Sequence, residues 1–195
     1  LEEISIGNNT DNGTYYIDDG VLFKRLDNSG VQLVWYPAKK DGEEYTIPSF
    51  VTNINSDYAF SYTTKLKKIT IPSTVTTKIT AERIFDTSAV EEIVVEKGAV
   101  IANSRTLDYA TNLRKLSIND GGIVGNYPYY HGNNLLEEIY IPSTVTGILD
   151  YALSICTPNV KKVYFDAKYV SGYQAQPDKA NKYELTIGKN VDKIV

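Results

Sequence analysis

His131 and Cys156 are the only histidine and the only cysteine of this 195-residue chain, so a thiolate–imidazole pair has a single possible composition. The strand motif around Ile139 lies between them, and no spacing motif joins them. A lone cysteine forms no intramolecular disulfide, and a buried free thiol that packs as a small hydrophobe is its ordinary role. Metal chemistry finds no support either. Cysteine and histidine have no ligand spacing, and Asp11-Asn12-Gly13 and Asp18-Asp19-Gly20 do not complete a calcium loop. There is no glycine-rich phosphate loop. Two carboxylates would suffice for a glycosidase, but the acidic residues fall mainly in repeated doublets that have a structural explanation. The sequence therefore predicts no catalytic residue, no metal ligand and no cofactor.

What remains with chemistry in it is aromatic. Sixteen tyrosines offer rings with apolar faces and hydroxyl tips, the side chain enriched at binding hot spots. Three of them, Tyr127, Tyr129 and Tyr130, stand beside His131 in the segment from Gly125 to Gly132, too irregular to be a strand.

Composition narrows the partners. Hydrophobic residues at 42% and charged residues at 23% are ordinary globular values, so the chain can bury a core. A net charge of -4 supplies no basic field for phosphate backbones or anionic membrane surfaces, which excludes nucleic acid as the expected partner. No apolar run approaches the roughly 18 residues that span a bilayer, and no membrane insertion is expected.

The elements that position these residues come from a repeat. The pattern is an apolar residue, two charged residues, an apolar residue, a variable residue and an apolar residue. It reads Leu1-Ile4-Ile6, Leu66-Ile69-Ile71, Val90-Ile93-Val95, Leu113-Leu116-Ile118, Leu136-Ile139-Ile141 and Val160-Val163-Phe165, with shorter copies at Tyr45-Ile47 and Leu185-Ile187. From Tyr45 to Leu185 the copies recur every 22 to 24 residues, whereas Ile4 to Tyr45 is 41. The last two apolar positions are two apart, so they share one face of a strand and the residue between them points the other way. Such a strand cannot bury its face alone, and a fixed period stacks it in parallel on its neighbours. Eight layers would extend about 40 Å at the ordinary spacing between strands.

The rest of the period recurs too. IPSFVT at 47–52 returns as IPSTVT at 71–76 and 141–146, and Pro48, Pro72 and Pro142 should end their strands, since proline cannot donate a ladder hydrogen bond. Asp57-Tyr58-Ala59-Phe60, Asp108-Tyr109-Ala110 and Asp150-Tyr151-Ala152-Leu153 are expected to form a short helical turn on the opposite wall, alanine inward. The long first step leaves about one insertion beyond a normal repeat. Val21–Leu26 and Val31–Tyr36 flank Asp27-Asn28-Ser29-Gly30, so the stretch 18–36 is predicted to be a β-hairpin inserted in the solenoid, anchored by Trp35.

The IPSTVT runs, the strand from Leu66 to Ile71, the Ala59-Phe60 turn and the segment GVLF…LVWYPA from Gly20 to Ala38 together resemble the BspA-like leucine-rich repeats. The resemblance covers nearly the whole chain. It implies a leucine-rich-repeat solenoid with a parallel β-sheet on one face, turns and short helical segments on the other and an inserted hairpin, in one domain spanning 1–195. It further implies a bacterial cell-surface or secreted protein, some relatives of which are adhesins for host or matrix proteins. A protein partner from host or extracellular matrix is one reading, a glycan partner a second, and a structural spacer a third.

The repeat makes three structural expectations. The chain opens and closes within strand motifs, so it is expected to be part of a longer array. The charged doublets read Glu43-Glu44, Lys67-Lys68, Glu91-Glu92, Arg114-Lys115, Glu137-Glu138 and Lys161-Lys162, with Glu184 next. Stacking them in parallel sets each against the opposite sign above and below. Finally, the outward residues run Ser5, Thr46, Thr70, Val94, Ser117, Tyr140, Tyr164, Thr186, so a binding face would centre on Tyr140 and Tyr164. Tyr127, Tyr129, Tyr130 and His131 lie near them in sequence, where Tyr127 and Tyr130 either join that face or plug the convex wall.

Overall fold

The computed structural model describes residues 4–7, 10–27, 29–101, 105–118, 123–124, 135, 137–141, 143, 161–166, 169–170, 184–191 and 193–194. In these segments the strands are β1 (Tyr15–Asp18), β2 (Val21–Arg25), β3 (Val31–Trp35), β4 (Glu44–Thr46), β5 (Lys68–Ile71), β6 (Glu92–Val95) and β7 (Val100–Ile101). They continue with β8 (Lys115–Ile118), β9 (Ile123–Val124), β10 (Glu138–Ile141), β11 (Lys162–Phe165), β12 (Tyr169–Val170), β13 (Glu184–Ile187) and β14 (Lys193–Ile194).

One wall is a parallel seven-stranded sheet in the order β13-β11-β10-β8-β6-β5-β4. Its register carries the repeat: Tyr45, Ile69, Ile93, Leu116, Ile139, Val163 and Leu185 pair in succession. Alternation then sorts the side chains. In β5 and β6 the second and fourth residues are buried while the first and third are half-exposed. Turns follow β4 and β5 where proline was expected to stop them, closed by Val51 N–H to Pro48 O at 2.9 Å and Val75 N–H to Pro72 O at 3.0 Å. Beyond these turns runs a second wall of two-residue parallel pairs, β7 with β9 and β12 with β14, with Ile79 bridged to Ile101.

The core is a set of columns, one residue per layer. Val51, Val75 and Ala99 form one, Ile54, Ile79 and Ile101 another, and Leu66, Val90 and Leu113 close the circuit, all buried. A fully buried side chain of this kind stabilises by about 1.5–3 kcal/mol, so each layer depends on its neighbours for its cover. Polar side chains stitch layers as well. Asn55 Nδ2 donates to Lys78 O at 2.7 Å, and its Oδ1 accepts from the N–H of Thr80 at 2.6 Å and of Ala81 at 3.1 Å.

The third wall departs from expectation. No helix occurs among the described residues. Instead Tyr58, Tyr62, Arg83, Thr87 and Tyr109 take left-handed φ between 51° and 62°, a conformation that breaks a right-handed helix after a single turn. The N–H groups that a helix would use internally reach the next layer: Phe60 to Ile84 O at 2.8 Å, Tyr62 to Asp86 O at 3.0 Å and Thr87 to Tyr109 O at 2.9 Å. A donor already engaged between layers is not available to a helix. The turn bonds Asp86 N–H to Arg83 O and Asp108 N–H to Arg105 O also make Asp108-Tyr109-Ala110 the counterpart of Asp86-Thr87-Ser88, and through it of Ser61-Tyr62-Thr63. The likeness to Asp57-Tyr58-Ala59 is a likeness of letters, one corner out of step.

The hairpin of β2 and β3 forms as read, but β1 joins it in an antiparallel sheet β1-β2-β3. Asp19 (φ 46°) and Gly20 (φ 74°) make the two-residue turn between β1 and β2, the left-handed pair that tight hairpins require. Instead of interrupting the solenoid, this sheet closes one end of it. Val31 O accepts from the N–H of Thr52 at 2.9 Å and Tyr36 N–H donates to Ala59 O at 2.8 Å. Tyr36, fully buried against Tyr45 and Phe60 with ring centroids 4.9 Å and 5.4 Å away, is the anchor rather than the half-buried Trp35. The register skips Val34 between the pairs Leu22–Trp35 and Phe23–Leu33, and this bulge shifts the inward phase to Tyr36. Tyr36 now stands over Tyr45, where an eighth strand would lie. Ile4 and Ile6 are only half-buried, and their motif adds no strand to the sheet among the described residues.

Candidate functional site

The outer face of the sheet presents two columns. The first is the charge ladder, with Glu44, Lys68, Glu92, Lys115, Glu138, Lys162 and Glu184 in direct register. Each sign meets its opposite on either side, as the doublets predict. Lys115 Nζ lies 3.3 Å from Glu92 and Lys162 Nζ 3.3 Å from Glu138. One residue earlier, Lys67 pairs with Glu91 at 2.7 Å, while Glu137 takes both Arg114 at 3.4 Å and Lys161 at 3.1 Å. The Lys67 hydrogen bond holds the Glu91 carboxyl below the usual range. Exposed pairs of this kind contribute about 0–1 kcal/mol each, but a slip by one layer would set all of them like against like.

The second column holds Thr46, Thr70, Val94, Ser117, Tyr140, Tyr164 and Thr186. Tyr140 and Tyr164 are its only aromatic members. They sit in direct register on β10 and β11 with ring centroids 4.7 Å apart and planes 6° from parallel. Tyr140 is 41% exposed and Tyr164 half-exposed, its hydroxyl pKa raised by desolvation and by Asp166 and Tyr140. The pair is a rigid aromatic ridge beside a band of fixed alternating charge. Tyr127, Tyr129, Tyr130, His131 and Cys156 lie outside the described residues.

Two further features escape the sequence reading. On the turn wall Tyr58, Tyr62 and Tyr109 are exposed, and the Arg83 guanidinium lies 4.6 Å from the Tyr109 ring. The Asp-Tyr-Ala motif did signal that wall, but only left-handed turns turn alanine inward and tyrosine outward. At the junction of the end sheet with the first layers, a cleft of about 670 Å³ is lined by Asp19, Lys39, Lys40, Asp41, Thr64 and Lys65. Lys40 pairs with Asp19 at 2.9 Å, and Lys65 pairs with Asp41, so these four charges are directed at one another. Among the described residues no three His, Cys, Asp or Glu side chains gather as a metal site, and no helix is long and apolar enough to cross a membrane.

The chain is similar to several solved structures. A leucine-rich repeat protein from Eubacterium ventriosum is 28% identical with a TM-score of 0.61, over 86% of this chain and 46% of that one. A leucine-rich cell surface protein from Faecalibacterium prausnitzii is 17% identical with a TM-score of 0.49, over 92% and 41%. The pneumococcal vaccine antigen PcpA is 16% identical with a TM-score of 0.35, over 92% and 71%. The chain thus spans less than half the length of the first two. Among curated proteins nothing matches it. Residues 38–170 match the BspA type leucine rich repeat region in six copies, and with that span, that period and this sheet, the chain belongs to the BspA-type leucine-rich repeat family.

Proposed function

We propose that this domain is a non-catalytic binding module of a bacterial cell-surface or secreted protein, and that it adheres to a host or matrix protein through the outer face of its sheet. The observation that carries this reading is the Tyr140–Tyr164 stack. Two phenol rings held parallel by strand register lose little freedom on binding, and exposed aromatic anchors beside complementary charge are what a protein hot spot needs. The non-catalytic part is supported by the repeat family and by the ladder, in which carboxylates are paired with lysine and arginine.

The test starts from a partner captured from host extracellular matrix by the immobilised domain, followed by Tyr140→Ala and Tyr164→Ala measured for affinity and for thermal unfolding. Each should weaken binding by about 1 kcal/mol or more with little change in stability; unchanged affinity in both removes this face. A glycan is the second reading, favoured by the exposure of Tyr58, Tyr62 and Tyr109 on the turn wall. Binding on a glycan array that Tyr109→Ala abolishes and Tyr140→Ala leaves intact would move the function there. Tyr129→Ala tests the segment beside His131 in the same assay.

A further inference from the structure

Tyr140 and Tyr164 lie one repeat apart in the chain and in direct register on β10 and β11. Neighbouring parallel strands stand about 4.8 Å apart, and the ring centroids keep nearly that distance, 4.7 Å, with planes 6° from parallel. The two side chains therefore run side by side without splaying, and the carbons ortho to each hydroxyl lie beside the neighbouring ring. Two residues earlier, Lys162 Nζ lies 3.3 Å from Glu138 and ties the same two strands together. Tyr140 is exposed and Tyr164 half-exposed, so a reagent in water meets both rings. Competing sinks for an oxidant are scarce. The chain has no methionine, one cysteine and one tryptophan against sixteen tyrosines, and sulfur is the side-chain atom that oxidants ordinarily take first.

We propose that Tyr140 and Tyr164 form an oxidative modification site, at which a haem peroxidase with hydrogen peroxide couples the two rings into a dityrosine that staples adjacent layers. Each phenol gives up one electron and its hydroxyl proton. The two phenoxyl radicals then join through a carbon ortho to oxygen on each ring, and each of those carbons passes its hydrogen back to oxygen as the ring regains aromaticity. In sum, two tyrosines and one hydrogen peroxide give one dityrosine and two waters. Radicals held in contact by strand register need no diffusional encounter, which is the advantage of a fixed geometry. A second tyrosine pair shows what the site requires. Tyr36 and Tyr45 have centroids 4.9 Å apart, but their planes stand at 63° and Tyr36 is buried. An oxidant in water does not reach Tyr36, and burial pushes its hydroxyl up to about 12, which opposes the proton loss that coupling needs. The new bond would close a loop of one repeat and remove freedom from the unfolded chain, in a protein whose lone cysteine forms no internal disulfide.

The coupling requires no binding partner, so failure to find one leaves it intact. The full chain, carrying Cys156→Ser so that no thiol competes, is treated at micromolar concentration with hydrogen peroxide and a haem peroxidase. The monomer should gain blue dityrosine fluorescence and lose the mass of two hydrogens. Tandem mass spectrometry should find the tryptic peptide Val163–Lys168, whose sole tyrosine is Tyr164, joined to the peptide that carries Tyr140. Coupling within the chain should exceed coupling between chains by about tenfold or more, and the coupled chain should melt about 5 °C or more higher. Tyr140→Phe and Tyr164→Phe, which keep the ring and remove the phenol, should each abolish the linked peptide. Matching circular dichroism spectra separate loss of the phenol from loss of the fold. No coupling, coupling mainly between chains, a Tyr36–Tyr45 link, within-chain dityrosine at the parent level in either variant, or an unchanged melting temperature would each overturn the proposal.

Discussion

At the β4 end of the sheet, Ile47 is wholly buried and Tyr45 packs on Tyr36 and Phe60 under a three-stranded antiparallel cover. At the β13 end, Leu185 and Ile187 hold the same inward positions and remain exposed. Both ends carry an anchor pair two residues apart in the same register, and Ile47 and Ile187 are the same residue type, so the difference between those two lies in what stands beyond the edge. In a one-dimensional stack an apolar anchor stabilises only as far as a neighbouring layer covers it. The same sequence motif therefore carries very different energy at different places in one molecule.

The sharpest way to break this comparison is to empty the covered end. Phe23 is fully buried in the end sheet, stacked on Tyr16 at 5.4 Å and edge-on to Phe50 at 5.3 Å. Phe23→Ala should cost about 3–5 kcal/mol in urea unfolding. A loss below about 1 kcal/mol would mean that the cover does not seal the stack. Next, equivalent anchors can be compared directly. Ile69→Ala in the middle of the sheet should cost about 2–5 kcal/mol, whereas Leu185→Ala at the open end should cost under about 1 kcal/mol. Similar losses at the two sites would show that β13 is covered in solution.

The ladder gives a smaller effect spread over both edges. Arg114→Glu combined with Lys115→Glu places like charge against Glu91-Glu92 and Glu137-Glu138. Each exposed pair contributes about 0.2–1 kcal/mol, so the double variant should lose about 1–2 kcal/mol at low salt. The loss should shrink with salt; an equal drop in melting temperature at low and high salt would assign it to packing instead.

The smallest effect concerns acid. Arg25 hydrogen-bonds Asp11 at 2.7 Å within the closed end and holds its carboxyl at about 2, below 3.8. A depressed carboxyl contributes stability that is complete above its unfolded value and disappears as pH falls through its folded one. Stability referable to Asp11 should therefore decline between pH 3.8 and about 2. Asp11→Asn should flatten that part of the acid limb and leave neutral-pH unfolding of the β13 end unchanged. An acid limb identical to the wild type would remove Arg25–Asp11 from the account of the cover.

How far the sequence reaches is visible in particular residues. Anchor pairs two apart, doublets of alternating sign and the proline after three of the strands are local patterns with a fixed period, and local pattern plus period suffices to set register in a parallel stack. That is why the pairing from Tyr45 to Leu185, the ladder and the outward aspect of Tyr140 and Tyr164 were legible. Asp19-Gly20 carries a hairpin signal that places β1, distinct from its membership of the incomplete calcium pattern Asp18-Asp19-Gly20. The corners were harder. Whether a turn winds as helix or bends through left-handed residues depends on where its N–H groups find acceptors, and at Phe60, Tyr62 and Thr87 those acceptors belong to the next layer.

The sequence by itself thus determined the repeat, its register and the sign of every rung, because each follows from side-chain type at a fixed spacing. Tertiary structure alone decided that the 18–36 stretch closes the stack instead of interrupting it, that a bulge at Val34 makes Tyr36 the anchor in place of Trp35, and that Leu185 and Ile187 stand uncovered. Those outcomes turn on which segments meet across tens of residues, and burial is a property of the meeting rather than of the residue.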